Sequence, residues 1–214
     1  MAKLGLVIGD YNLSSWSLRP WFTLKLLQVP FDETRIRLRR PDTKQQILAH
    51  SPAGKVPILK DGNLVVWDSL AIQEYLAEKF PNAGLWPADS AARALARSAA
   101  AEMHSGFAAL REDLPMECHG ARPRQPGPQA QADIARITGL WNQCRASYGR
   151  GGDFLFGRPG IADAMYAPVT IRFRIYGVAL DPVSAAYCAA MLNLPAMQEW
   201  FARARAELTE SSGR

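Results

Sequence analysis

Cysteine and histidine are the scarcest chemistry-bearing residues of this 214-residue chain, at three each. Cys118, Cys144 and Cys188 are widely spaced, form no CxxC pair and have no histidine at metal-ligand spacing. That pattern excludes a disulfide framework, a dithiol redox motif and a zinc site, and leaves buried free thiols as the expectation. No apolar run approaches the roughly 20 residues that a membrane-spanning helix needs. The apolar stretch Leu4 to Ile8 is too short for a signal-peptide core and no small-residue cleavage site follows it, so it reads as the first strand of a cytoplasmic protein. There is no internal repeat and no low-complexity tract, and only the last five or six residues have the texture of disorder.

A hydrophobic fraction of 48% is ample for a buried core in a chain of this length. The net charge of +5 raises the question of nucleic acid, since a basic face neutralises phosphates. Its distribution argues against that partner. The densest basic stretch places Arg35, Arg37 and Arg39 on one face of an expected strand, with Ile36 and Leu38 on the other, as on a solvated strand face. The reading is a protein with no nucleic-acid and no membrane partner.

The first eighty residues alternate short apolar runs with helical patterns, in the order β-α-β-α-β-β-α. Strands are expected at Leu4 to Ile8, Phe31 to Leu38, Val56 to Leu59 and Leu64 to Trp67. The last two flank Lys60-Asp61-Gly62-Asn63, a hairpin signal. Helices are expected at Leu18 to Val29 with Pro20 in the first turn, at Asp42 to His50, and at Asp68 to Lys79. Pro81, Asn82, Gly84 and Pro87 mark residues 81–88 as a linker between a domain at 1–80 and another at 89–214. Beyond it strand patterns vanish. Leu95, Ala99, Met103, Phe107, Leu110 and Leu114 describe one face of a helix of six or more turns, and Ile134, Ile137, Trp141, Cys144 and Tyr148 that of a second. Shorter helices follow at about 162–176, 182–191 and 195–208. The fold class is α/β followed by an all-α bundle.

Three segments of the first domain would fall at the same end of its sheet. Tyr11 to Pro20 is a polar loop that ends at a helix start, where Ser14 and Ser15 suit N-capping. A hydroxyl donor at the positive end of a helix also favours a thiolate over a thiol. In the second segment, Ser51 to Leu59, Pro57 opens a strand. A cis Val56-Pro57 bond there would turn the amide and carbonyl of Val56 outward, offering a peptide ligand two strand-type hydrogen bonds. The third is Trp67-Asp68-Ser69-Leu70. Asp68 or Ser69 caps a helix, or the helix N-terminus and the Ser69 hydroxyl hold a ligand carboxylate while Asp68 pairs with an ammonium group. His50 and His104 read as surface or core histidines, with no partner carboxylate at a telling spacing.

In order and spacing these segments resemble the glutathione transferase superfamily over nearly the whole chain. Val56-Pro57 looks like the family's cis-proline motif, Asp68-Ser69 like its acidic-Ser pair for the γ-glutamyl group, and Gly160-Ile161-Ala162-Asp163 like its helix-capping motif, with Gly160 where Ser or Thr is usual. Glycine costs a few tenths of a kcal/mol as an N-cap relative to serine, and Asp163 is expected to be structural. Ser14-Ser15-Trp16-Ser17-Leu18-Arg19 looks like the zeta-class loop Ser-Ser-Cys-Ser-Trp-Arg, with Trp16 in place of its cysteine.

The resemblance implies a thioredoxin-like first domain and a serine-type transferase of the detoxification kind. Glutathione would be its co-substrate, a small electrophile its second substrate, and a homodimer its assembly, without a metal. Counting from the zeta-like loop makes Ser14 the partner of the thiol, counting back from Arg19 makes it Ser15, and Tyr11 is a third candidate. Lys55 would meet the glycyl carboxylate, Val56 and Pro57 the peptide, and Asp68 and Ser69 the γ-glutamyl end. Trp16, Met103 and Phe107 are candidates to line the electrophile pocket. Two rival readings are a zeta-like glutathione-dependent cis-trans isomerase, against which Trp16 speaks, and a non-catalytic association module.

Overall fold

A computed structural model describes residues 3–212. Four strands, β1 (Leu4–Ile8), β2 (Phe31–Arg35), β3 (Ile58–Asp61) and β4 (Leu64–Trp67), form one mixed sheet in the order β2-β1-β3-β4. β1 pairs parallel with β2 and antiparallel with β3, and β3 pairs antiparallel with β4. Central β1 is apolar on both faces because both are covered. On one face lies α1 (Ser15–Leu27) with α3 (Ser69–Lys79). On the other, Val7, Ile36, Ile47 and Ile58 make a small separate core beneath α2 (Thr43–Leu48). Gly62, at φ +59°, closes the expected β3–β4 hairpin. This is the thioredoxin-like arrangement expected from the chain.

After a single 3-10 turn at Pro81–Ala83 every regular element is helical: α4 (Ser90–Ser105), α5 (Ala108–Asp113), α6 (Pro128–Tyr148), α7 (Ile161–Tyr176), α8 (Pro182–Asn193) and α9 (Pro195–Ser212). α7 is buried almost all round and packs against α1, α4 and α8, while α9 also reaches α1. The main core therefore runs without a break from the sheet into the helices. Tyr11, Trp21 and Trp200 sit edge to face at its centre, 4.7 to 6.4 Å apart, and Lys25–Glu199, Arg203–Glu33 and Arg35–Glu207 ion pairs rim the contact.

Several sequence expectations are corrected. The helical stripe read from Leu95 to Leu114 is two helices, broken at Gly106 and Phe107, the latter at φ +59°. α1 starts at Ser15 rather than Leu18 because Ser14 caps it, so Pro20 lies beyond the first turn. β2 stops at Arg35, so Arg37 and Arg39 are not strand residues, and Arg39 has φ +58°. Arg35 is half-buried against Glu207 of α9 at 3.2 Å rather than solvated. α9 keeps its backbone helical to Ser212 where disorder was expected, and residues 213–214 of that tail lie outside the described residues. Among the described residues no helix is long and apolar enough to cross a membrane, and no three or more His, Cys, Asp or Glu side chains cluster as metal ligands would.

Gly160 has a reason that the sequence did not disclose. A β-carbon there would stand 2.6 Å from the carbonyl oxygen of Leu85, which accepts the amide of Ile161 at 3.0 Å. The residue where α7 begins must have no side chain because the segment leading into α4 lies against it. Asp163 supplies the cap instead, accepting the amides of Gly160 at 2.9 Å and Leu155 at 3.1 Å. Burial pushes its carboxyl up to about 6, against the pull of those two donors.

Candidate functional site

A cavity of about 580 Å³ opens between the C-terminal end of α4 and the edge of the sheet, in the size range of small-molecule sites. Trp16, Ala53, Lys55, Val56, Pro57, Trp67, Asp68, Ser69 and His104 line it. The structure thus brings together all five residues singled out for cofactor binding.

Each is placed by local structure. The Val56-Pro57 bond is cis. Val56 precedes β3, and neither its amide nor its carbonyl has a hydrogen-bond partner among the described residues. Asp68 stands at φ 75° and ψ 134°, a conformation that favours glycine. It caps α3, its Oδ1 accepting the amides of Leu70 at 2.8 Å and Ala71 at 3.4 Å. The two open readings of Asp68-Ser69 therefore divide: Asp68 caps, while Ser69 does not. Ser69 is 1% exposed, and neither its hydroxyl nor its amide has a partner among the described residues. A buried polar group of that kind is costly unless a ligand completes it, and at a helix N-terminus the fitting ligand is an anion such as a carboxylate. Lys55, which is exposed, puts a cation on the same cavity.

The serines lie deeper. Ser14 Oγ and Ser17 Oγ are hydrogen-bonded at 2.7 Å, Ser14 Oγ accepts the Ser17 amide at 3.3 Å, and Ser17 Oγ accepts the amide of Gly9 at 3.0 Å. Ser14 Oγ is thereby engaged in the cap. Ser15, first residue of α1 and 7% exposed, has no side-chain partner among the described residues. Neither serine is among the residues that line the cavity; Trp16 of the same loop is. Tyr11 is turned away, its hydroxyl held by Glu33 and by Arg203 Nη1 at 2.8 Å. That loop is also pinned from behind by Glu207 of α9, which accepts the amides of Tyr11 at 2.8 Å and Asn12 at 3.0 Å.

Of the residues proposed for the electrophile pocket, Trp16 lines the cavity, whereas Met103 and Phe107 are core residues, 0% and 8% exposed. The α4 residue that faces it is His104, which had been read as a bystander. Its Nε2 is 3.1 Å from Asp68 Oδ2, and its ring meets Trp16 edge on at 5.3 Å. Nothing local in the sequence signals this pair, which joins positions 36 residues apart. The three cysteines are buried as expected, and burial pushes each thiol up to about 12.

Comparison with known proteins agrees with the geometry. The family model for the glutathione S-transferase N-terminal domain matches residues 13–79 and that for the C-terminal domain residues 77–203. A dichloromethane dehalogenase of Methylorubrum extorquens is 42% identical over 62 residues, 28% of this chain and 22% of that protein. A probable maleylacetoacetate isomerase of Caenorhabditis elegans is 35% identical over 104 residues, 49% of each. A zeta-class glutathione S-transferase of Euphorbia esula is 30% identical over 137 residues, 63% of this chain and 61% of that protein. The matched part of this chain thus spans less than two thirds of each of these relatives. Among solved structures, a Burkholderia glutathione transferase homologue with bound glutathione superposes at a TM-score of 0.73, with 24% identity over 95% of this chain and 98% of that one, which establishes a shared fold. With both domain models matched in order along its length, the chain belongs to the glutathione S-transferase family.

Proposed function

We propose that the chain is a glutathione-dependent transferase that joins the tripeptide's sulfur to a small electrophile. The observation that carries this reading is the pairing, in one cavity, of the unpartnered Ser69 hydroxyl and amide with the unpartnered amide and carbonyl of Val56. Ser69 and the N-terminus of α3 would take the γ-glutamyl carboxylate and Asp68 its ammonium group. Val56 would pair with the cysteinyl backbone as a strand does, beside the cis-proline, and Lys55 would meet the glycyl carboxylate. Glutathione supplies the nucleophile: its thiolate sulfur bonds to the electrophilic carbon while the leaving group departs with the bonding electrons.

Ser15 is the side chain we assign to thiolate stabilisation. Its hydroxyl is free to donate and stands at the first turn of α1, where the helix N-terminus favours negative charge, whereas Ser14 is spent on its cap. Replacement of Ser15 by alanine should raise the pKa of the bound thiol by about 1 unit, the equivalent of one charge-assisted hydrogen bond, as followed by thiolate absorbance. Ser14→Ala should lower the melting temperature and move the thiol less. An unshifted thiol in Ser15→Ala would refute the assignment.

The second enzymatic reading, a zeta-like isomerase that returns glutathione unchanged, draws on the relatives named maleylacetoacetate isomerase or zeta class. Trp16 in place of the zeta-like cysteine argues for the transferase. The unpartnered Ser69 favours either enzyme over an association module, which has no use for an open ligand site. Division into residues 1–80 and 89–214 about a linker, a homodimeric state and a cytoplasmic location complete the proposal on family resemblance.

A further inference from the structure

Behind the cavity-lining Trp16 lies a group of charges that the glutathione site does not use. Arg19 is 0% exposed, and its Nε and Nη1 have no hydrogen-bond acceptor among the described residues. Its guanidinium carbon stacks 4.1 Å from the centre of the Trp16 ring, and that of Arg111 lies 5.6 Å from the same ring. Arg172 of α7, also buried, spends its Nε on the Leu114 carbonyl at 2.8 Å and leaves Nη1 without an acceptor among the described residues. Arg111, half-buried on α5, donates to the Gly106 carbonyl. None of the three forms an ion pair with a carboxylate among the described residues. Burial first, and then repulsion from the neighbouring arginines, lowers Arg19 to about 9 and Arg172 to about 10, while the largest opposing influence on Arg19 is Asp68.

Two buried guanidinium groups without a counter-ion are among the most costly arrangements a fold can hold, and a third like charge beside them adds to the cost. A core built for packing alone would place methionine or leucine at such positions. The arrangement has a purpose if a negative group joins it, and the planar fork of arginine fits a carboxylate through two parallel hydrogen bonds. The carboxylates of glutathione are already assigned to Ser69 and Lys55, which line the cavity, whereas none of the three arginines does.

We propose that Arg19, Arg111 and Arg172 form a carboxylate-binding site for the second substrate, covered by the Trp16 indole, so that the preferred electrophile carries an acidic group. This rests on the glutathione reading for the identity of the reaction, but the anion site itself is tested without glutathione.

The test is calorimetric titration of the wild-type protein with benzoate and with benzamide, which share a shape and differ in charge. Benzoate should bind about 10- to 100-fold more tightly, the equivalent of a charge-assisted pair. Arg111→Gln, with its melting temperature checked against wild type, should abolish the difference, and Arg111→Lys should retain part of it. Arg19→Met should also lose benzoate while melting at or above the wild-type temperature, because an unpaired buried charge has been removed. Equal affinity for the two probes, no benzoate binding in the millimolar range, or a preference that survives both Arg111→Gln and Arg19→Met would overturn the inference. A parallel titration with glutathione reports separately on the reading it rests upon.

Discussion

Replacing Asp68 by asparagine and by alanine separates the two roles of this side chain. Asparagine keeps an oxygen to accept the amides of Leu70 and Ala71 but carries no charge for an ammonium group or for His104. Its cost in stability is the His104 pair, which is partly exposed and worth about 1 kcal/mol at most. Its cost in glutathione binding is a charge-assisted contact, about 1.5–3 kcal/mol, or roughly 10- to 150-fold in Kd. Alanine loses the charge and the cap together, the cap being worth about 1 kcal/mol beyond the His104 pair, for about 2 kcal/mol in all. In a chain of this size about 2 kcal/mol corresponds to a melting temperature lower by about 4–8 °C. Calorimetric titration and thermal denaturation of the two variants should therefore show similar losses of glutathione affinity and different losses of stability. Wild-type affinity in Asp68→Asn, or equal destabilisation by the two substitutions, would refute the reasoning.

Gly160→Ser restores the usual capping residue, yet it should destabilise the protein by about 1–3 kcal/mol. Its β-carbon would stand 2.6 Å from the Leu85 carbonyl oxygen, a clash that exceeds the few tenths gained by the cap, and a melting temperature at or above wild type would contradict this. With all three thiols raised to about 12, a fraction on the order of 10⁻⁴ is ionised at pH 8, so an aromatic disulfide reagent should label none of them promptly in the folded protein and all three in denaturant. Rapid labelling of any one in the native state would show that its burial is overstated.

Much of this was legible because it is local. The hairpin about Gly62, the proline ahead of β3 and the Asp68-Ser69 start of α3 depend on neighbours a few residues away, and their signals are strong. The break at Gly106 was hidden because Met103, Phe107, Leu110 and Leu114 keep helical spacing across it and are all buried, so the apolar pattern satisfies one helix or two. The errors at Arg35 and His104 have a different cause. Each residue owes its environment to an element far along the chain, α9 for Arg35 and the start of α3 for His104. The arginines behind Trp16 come from α1, α5 and α7, and no spacing rule joins them. Gly160 is similar: a capping position read in isolation suggests a slightly inferior cap, whereas the approach of Leu85 makes glycine the residue that fits.

On our proposal the cavity on Val56 and Ser69 takes glutathione by its γ-glutamyl end. Calorimetric titration of the wild-type protein with glutathione, and then with cysteinylglycine, tests it most directly. Glutathione should bind in the micromolar to low-millimolar range and cysteinylglycine more weakly by about 10-fold or more, since the contacts at Asp68 and Ser69 are then absent. Equal affinity for the two peptides, or no binding of glutathione, would contradict it.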